Sequence, residues 1–307
     1  MDKKFNQNQT NQAPKKISYR LSGAFSAAMI CYIFVALIFG LITQSLDNME
    51  AFQKSTAYIL LNYFLVSISL VLGCGYTLFR NKVKPFDAVN FKLDWRFSVV
   101  ILLVFVGSYF GLSRLNDAFV SIFEKFGYVP DELKLPQKSP LNVILTIITV
   151  ALLPAVCEEF LFRGLILNGT KWLGGLAAVL ISAGCFCIYH MSPYQTAYQF
   201  VMGLIYGLIA LKSQSLLPTV ILHFLNNLFV ILWYYFFPSF AITGTWQIVT
   251  TILGVLAIVG AIILCFVFNK QRVEKSPLTK QENLDFCINI IPGAFLCLVV
   301  WVSNLFL

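Results

Sequence analysis

Nine strongly apolar stretches divide this chain, at roughly 21–44, 57–79, 97–113, 141–162, 173–190, 197–211, 216–237, 246–268 and 284–307. Most approach the ~20 residues that a helix needs to cross a bilayer. Lipid offers no water to free backbone groups, so the spanning form is the helix, which satisfies its own, and no alternating pattern of barrel type competes with it. The expected fold is all-α, a polytopic transmembrane helical bundle of about nine helices. Composition agrees: 58% of residues are hydrophobic and 12% charged, with a mean hydropathy of +0.78, beyond the apolar share of an ordinary soluble domain. The stretch 197–211 is short, and is expected to tilt into a shared core or extend into its flanks.

The net charge of +8 invites a nucleic-acid reading that the placement of the basic residues removes. With the N-terminus inside, 17 of the 22 Lys and Arg fall on cytoplasmic segments, and only Lys54, Arg114, Lys125, Lys134 and Lys138 fall outside. That asymmetry follows the positive-inside rule and predicts a cytoplasmic N-terminus, an external C-terminus and multi-pass insertion in a plasma membrane. Residues 1–20, polar and rich in Asn, Gln and Lys, are expected to be a cytoplasmic tail ahead of a retained first helix, because no small-residue cleavage site follows the long apolar run. Residues 21–307 then form one membrane domain with a motif-bearing core at 141–237. The connection 114–140 carries an amphipathic pattern over Asn116 to Phe126 and is expected to include an interfacial helix. The eight cysteines fall in or beside apolar segments without metal-type spacing and are expected to pack as small apolar side chains.

Polar residues inside the apolar stretches carry the functional information. The chain has two histidines, and each has a partner one helical turn away, in Phe186-x-x-x-His190 and His223-x-x-x-Asn227. A third stretch carries Glu158-Glu159-x-x-x-Arg163. Ionisable groups at membrane depth persist mainly where they pair or line a cavity. Glu159 and Arg163, four apart, share a helix face and can neutralise one another, whereas Glu158 is turned about 100° away and is left to face a cavity. Pro154 deprives the carbonyl of residue 150 of its helical donor and can kink the helix. A carboxylate, two imidazoles and a carboxamide make an inventory for amide hydrolysis: a base for water, a proton carrier, and donors to an oxyanion. Glu158, His190 and His223 are equally a set of zinc ligands with a fourth position open to water. Two other classes use the same residues: a proton-coupled transporter with a relay through Glu158, His190 and His223, and a non-catalytic membrane scaffold or immunity protein.

These three motifs, in this order on successive apolar segments, resemble those of the type II CAAX prenyl endopeptidase family, also known as the CPBP intramembrane protease family, which includes bacterial abortive-infection and bacteriocin-immunity proteins. The resemblance covers roughly 141–237, within a family-like core at 97–268. It implies an α-helical intramembrane endopeptidase in which Glu158 activates water with His190 assisting, and His223 and Asn227 stabilise the oxyanion. Glu159, Arg163 and Phe186 would support the site. The implied substrate is a membrane-associated peptide or protein, with or without a lipid anchor. Both metalloprotease and metal-independent glutamate-protease mechanisms have been described for the family, so zinc or another divalent metal stays open as cofactor.

One feature of the helix register opposes this reading. Counted at 1.5 Å per residue from expected inner helix ends near 168, 172 and 216, Glu158 lies ~15 Å deep, His223 ~10 Å and His190 ~27 Å. The helix bearing His190 must begin outside the membrane near Lys171–Gly175, or tilt, for the two to meet. Gly203-x-x-x-Gly207, between the second and third motifs, permits close helix approach and is expected to pack around the site.

Overall fold

The computed structural model describes residues 19–130, 133–239 and 242–306. The expected N-terminal tail, apart from Tyr19 and Arg20, lies outside these, as do Asp131 and Glu132 of the 114–140 connection. The described residues contain no strand. Each of the nine apolar stretches is a helix: α1 (Tyr19–Gln44), α2 (Thr56–Asn81), α3 (Phe97–Glu124), α4 (Pro140–Leu173), α5 (Gly175–Tyr189), α6 (Thr196–Ser213), α7 (Leu217–Phe236), α8 (Gly244–Phe268) and α9 (Lys280–Ser303). Seven are long and apolar enough to cross a membrane; α5 and α6 are the exceptions. Side chains such as Phe34, Leu41, Leu102, Ile252, Leu256 and Phe295 are more than half exposed, an apolar outer surface that only lipid can solvate. The protein is a multi-pass helical membrane protein.

Helix ends are set by local chemistry. Ser55 and Ser139 accept N–H bonds from Tyr58 and Asn142, with Pro140 occupying the first turn of α4, and Thr279 and Glu282 form a reciprocal capping box at α9. The connections gather in two groups. In one, Leu216 N–H donates to Asn90 O (2.8 Å), Ser276 N–H to Trp172 O (2.8 Å) and Lys212 Nζ to Asn269 O (3.0 Å). In the other, Tyr63 donates to Lys134 O (3.1 Å), and Tyr194 N–H to the Tyr128 hydroxyl (3.2 Å).

Two helices run further than their apolar stretches suggest. Residues 116–124 are not a separate interfacial helix but the last turns of α3, because no glycine or proline interrupts the chain after Gly111. On their apolar side Phe119 lies against Phe123 of the same helix at 5.0 Å and Phe123 against Trp301 at 6.0 Å between ring centroids, while Ile122 is half exposed. Helix α4 continues past Asn168-Gly169 to Leu173. It includes two π-helical turns, Ile147–Leu152 and Phe160–Ile166, on either side of the α-helical turn Leu153–Glu159. Such widened turns recur at functional sites, and here they bracket the glutamate pair and Pro154.

The longer α4 removes the depth conflict. It joins α5 through Gly174, whose φ of 93° and ψ of 161° belong to a region that only glycine adopts without strain. Glu158 and His190 stand sixteen residues to either side of that glycine. On two antiparallel arms each is therefore roughly 24 Å from the turn, at matching height in the hairpin.

Candidate active site

The site is assembled by α4, α5, α6 and α7. Burial is deep: Glu158 is 6% exposed, Glu159 0%, Arg163 1% and His223 5%. Uncompensated charge at such depth is untenable, so the pairings decide what each group can do. Arg163 Nη1 donates to Glu159 Oε1 at 2.8 Å, as the helical spacing requires, and Arg163 Nη2 reaches Gly203 O on α6 at 3.4 Å. The guanidinium also lies over the rings of Phe186 (4.2 Å) and Tyr206 (5.1 Å), contacts that favour a desolvated cation.

The same carboxylate has a second partner. His223 Nδ1 lies 2.9 Å from Glu159 Oε1. A carboxylate accepts, so Nδ1 carries hydrogen and Nε2 is the nitrogen free for chemistry. Nε2 stands 3.8 Å from Glu158 Oε2, an oxygen that accepts no hydrogen bond from the described residues. Glu159 thus links α4 to α7 and fixes the tautomer of His223, a role beyond the ion pair with Arg163 that the spacing revealed.

His190 closes α5. Its Nδ1 lies 2.8 Å from the carbonyl oxygen of Phe186, so Nδ1–H is again the donor and Nε2 is left as an acceptor. Phe186 is the hub of the aromatic packing, with ring centroids 4.9 Å from His190, 5.9 Å from His223 and 5.1 Å from Phe162. Asn227 donates from Nδ2 to Val150 O at 3.2 Å. That carbonyl is the one whose helical donor Pro154 removes, so the proline of one motif-bearing helix orients the amide of another. The second N–H of the carboxamide is not used by this bond.

All the residues singled out in the sequence therefore come together: Glu158, Glu159, Arg163, Phe186, His190, His223 and Asn227. The three side chains expected as zinc ligands, Glu158, His190 and His223, do not stand together as a metal-holding group, of which the described residues contain none; Nε2 of each imidazole is the nitrogen left without a bond. Tyr206, 1% exposed and 5.6 Å from His223 between ring centroids, escaped the sequence reading because a tyrosine in an apolar stretch looks like packing. Its signal is the i+3 spacing from Gly203. A Cβ on Gly203 would lie 2.9 Å from the Ala183 Cα of α5, so the Gly203-x-x-x-Gly207 stripe seats α6 against α5 beside the site.

Known proteins are similar to this chain over the helices that carry these residues. Residues 140–229, spanning α4 through most of α7, match the family model described as Type II CAAX prenyl endopeptidase Rce1-like. The chain is similar to an "Uncharacterized 24.3 kDa protein" of Escherichia coli, 31% identical over 181 residues that cover 53% of this chain and 76% of that protein. No solved structure matches. The matched segment begins with the helix of the paired glutamates and ends just after Asn227, and the chain belongs to the Rce1-like family of type II CAAX prenyl endopeptidases, a family of membrane peptidases.

Proposed function

We propose that this protein is an intramembrane endopeptidase in which Glu158 activates the hydrolytic water. The supporting observation is the relation of Glu158 to His223: a buried carboxylate oxygen without a donor among the described residues, 3.8 Å from the Nε2 of an imidazole whose other nitrogen is anchored on Glu159. A separation beyond direct hydrogen bonding is one that a single water can bridge.

In the proposed reaction Glu158 takes a proton from water as the oxygen attacks the scissile carbonyl carbon. The carbonyl oxygen becomes an oxyanion that accepts the free N–H of Asn227, and also Nε2–H of His223 when that imidazole enters the reaction as the cation and keeps its proton throughout. Proton return from Glu158 to the amide nitrogen, assisted by His190 Nε2, expels the amine and leaves a new carboxylate and a new amino terminus. Glu159 and Arg163 hold His223 and neutralise one another. The substrate class that suits a site of this depth is a membrane-associated peptide, lipidated or hydrophobic in itself.

The experiment is cleavage of a mixed library of membrane and prenylated peptides by reconstituted wild-type protein and its Glu158→Gln variant, with new termini read by mass spectrometry. Termini produced by wild type and absent with the variant are expected. A folded wild-type protein that produces none, while moving protons or solutes in liposomes, would replace the peptidase reading by a transporter.

A further inference from the structure

His190 occupies an insecure position for a group that must be placed accurately. It caps α5 where the helix is unravelling: its own N–H bonds Cys187 O at 3.3 Å, and the next N–H, of Met191, bonds Ile188 O at 3.0 Å. Among the described residues the imidazole hydrogen-bonds its own helix alone, through Phe186 O. Met191 then turns the chain with φ +50°, a conformation unfavourable for a residue with a branched or long side chain. Something outside α5 must hold this turn.

The end of α9 reaches it. Asn304, immediately after α9, donates from Nδ2 to Met191 O at 2.8 Å, and Trp301 donates from Nε1 to Thr196 Oγ1 at 2.8 Å. Thr196 in turn donates to Ser192 O at 2.9 Å, closing the 191–196 loop on itself. Both anchoring side chains, Trp301 in the last turn of α9 and Asn304 just after it, lie more than 70 residues beyond the family match, which ends at residue 229.

We infer that Asn304 and Trp301 are positioning residues for His190: the last helix braces the turn that ends α5 and so sets where the imidazole stands in the site. The functional meaning of that placement rests on the peptidase reading, but the placement is testable without it.

The chain's two histidines make a direct readout available. In histidine-selective isotope-labelled protein, magnetic resonance gives two imidazole signal sets, assigned with His190→Gln. Asn304→Asp preserves shape and removes the donor, and Trp301→Phe keeps an aromatic ring and removes the indole N–H. Each is expected to move the His190 signals while those of His223 stay in place. Where a cleaved peptide is known, each should lower kcat several-fold with KM unchanged. Unmoved His190 signals in both variants would overturn the inference, and so would equal displacement of both histidines, which would mark a general loosening of the bundle. If the wild type cleaves nothing, the peptidase reading fails, and the signal shifts still decide whether α9 positions His190.

Discussion

Glu159 is the residue on which the electrostatics of the site turn. Its Oε1 serves Arg163 and His223 together, so removing the guanidinium leaves a carboxylate with no permanent countercharge in a water-poor interior. Arg163→Ala is expected to destabilise the protein by about 3–5 kcal/mol, the usual cost of orphaning one member of a buried pair. Glu158→Gln, which replaces a carboxylate with unused hydrogen-bonding capacity by a neutral amide, should melt at or above the wild-type temperature. Thermal unfolding in one detergent compares them, and matching midpoints for Arg163→Ala and wild type would contradict the structural role of the pair. At this scale the bonds within a helix were legible. Glu159 and Arg163 are four apart, and the Phe186–His190 contact follows from the same spacing. The Glu159–His223 and Asn227–Val150 bonds were not, since they depend on the register of α7 against α4, which the periodicity of neither helix contains.

The α4–α5 hairpin is the element that makes a site of these residues. Its turn requires Gly174: φ 93° with ψ 161° excludes a Cβ, and Lys275 Cγ would stand 3.2 Å from one. Gly174→Ala should cost about 1–3 kcal/mol and, by shifting one arm on the other, lower cleavage more than a comparably destabilising substitution on the lipid-facing side of α8. Parallel unfolding and cleavage assays on the two variants test this, and equal activities at equal stability would remove the hairpin register from the account. The continuation of α4 through Asn168-Gly169-Thr170 was hidden in the sequence because those residues usually signal a helix end. Here Asn168 Nδ2 returns to Gly164 O at 2.7 Å and reaches Ala88 O at 3.1 Å, while Thr170 Oγ1 returns to Ile166 O at 2.8 Å. Their polar groups are satisfied without ending the helix. The expected conflict in depth between Glu158 and His190 came from stopping α4 too early.

For the whole molecule, the distribution of basic residues and the structure sort the connections alike. Segments near 88–90, 168–172, 212–216 and 269–276, all assigned to the cytoplasmic side by charge, bond to one another. The loops around 128, 134 and 191–196, assigned to the other side, form the second group. We propose on this basis that the N-terminus is cytoplasmic and the C-terminus external. A reporter active only in the cytoplasm should be silent when fused after Leu307, and a strong signal there would reverse the orientation. The helical bundle and its apolar exterior were legible from hydropathy alone, since hydropathy measures what lipid requires. The bracing of His190 by α9 was not, because Trp301 and Asn304 carry no pattern that distinguishes them from other interfacial residues.

The central claim is that Glu158 activates water, and the most direct measurement is the turnover rate of one identified peptide by wild-type protein and Glu158→Gln reconstituted in the same vesicles at matched folded fraction. A loss of at least about 100-fold in kcat is expected on removing the base from a general base-catalysed hydrolysis. A Glu158→Gln protein that turns over within a few-fold of wild type would contradict it.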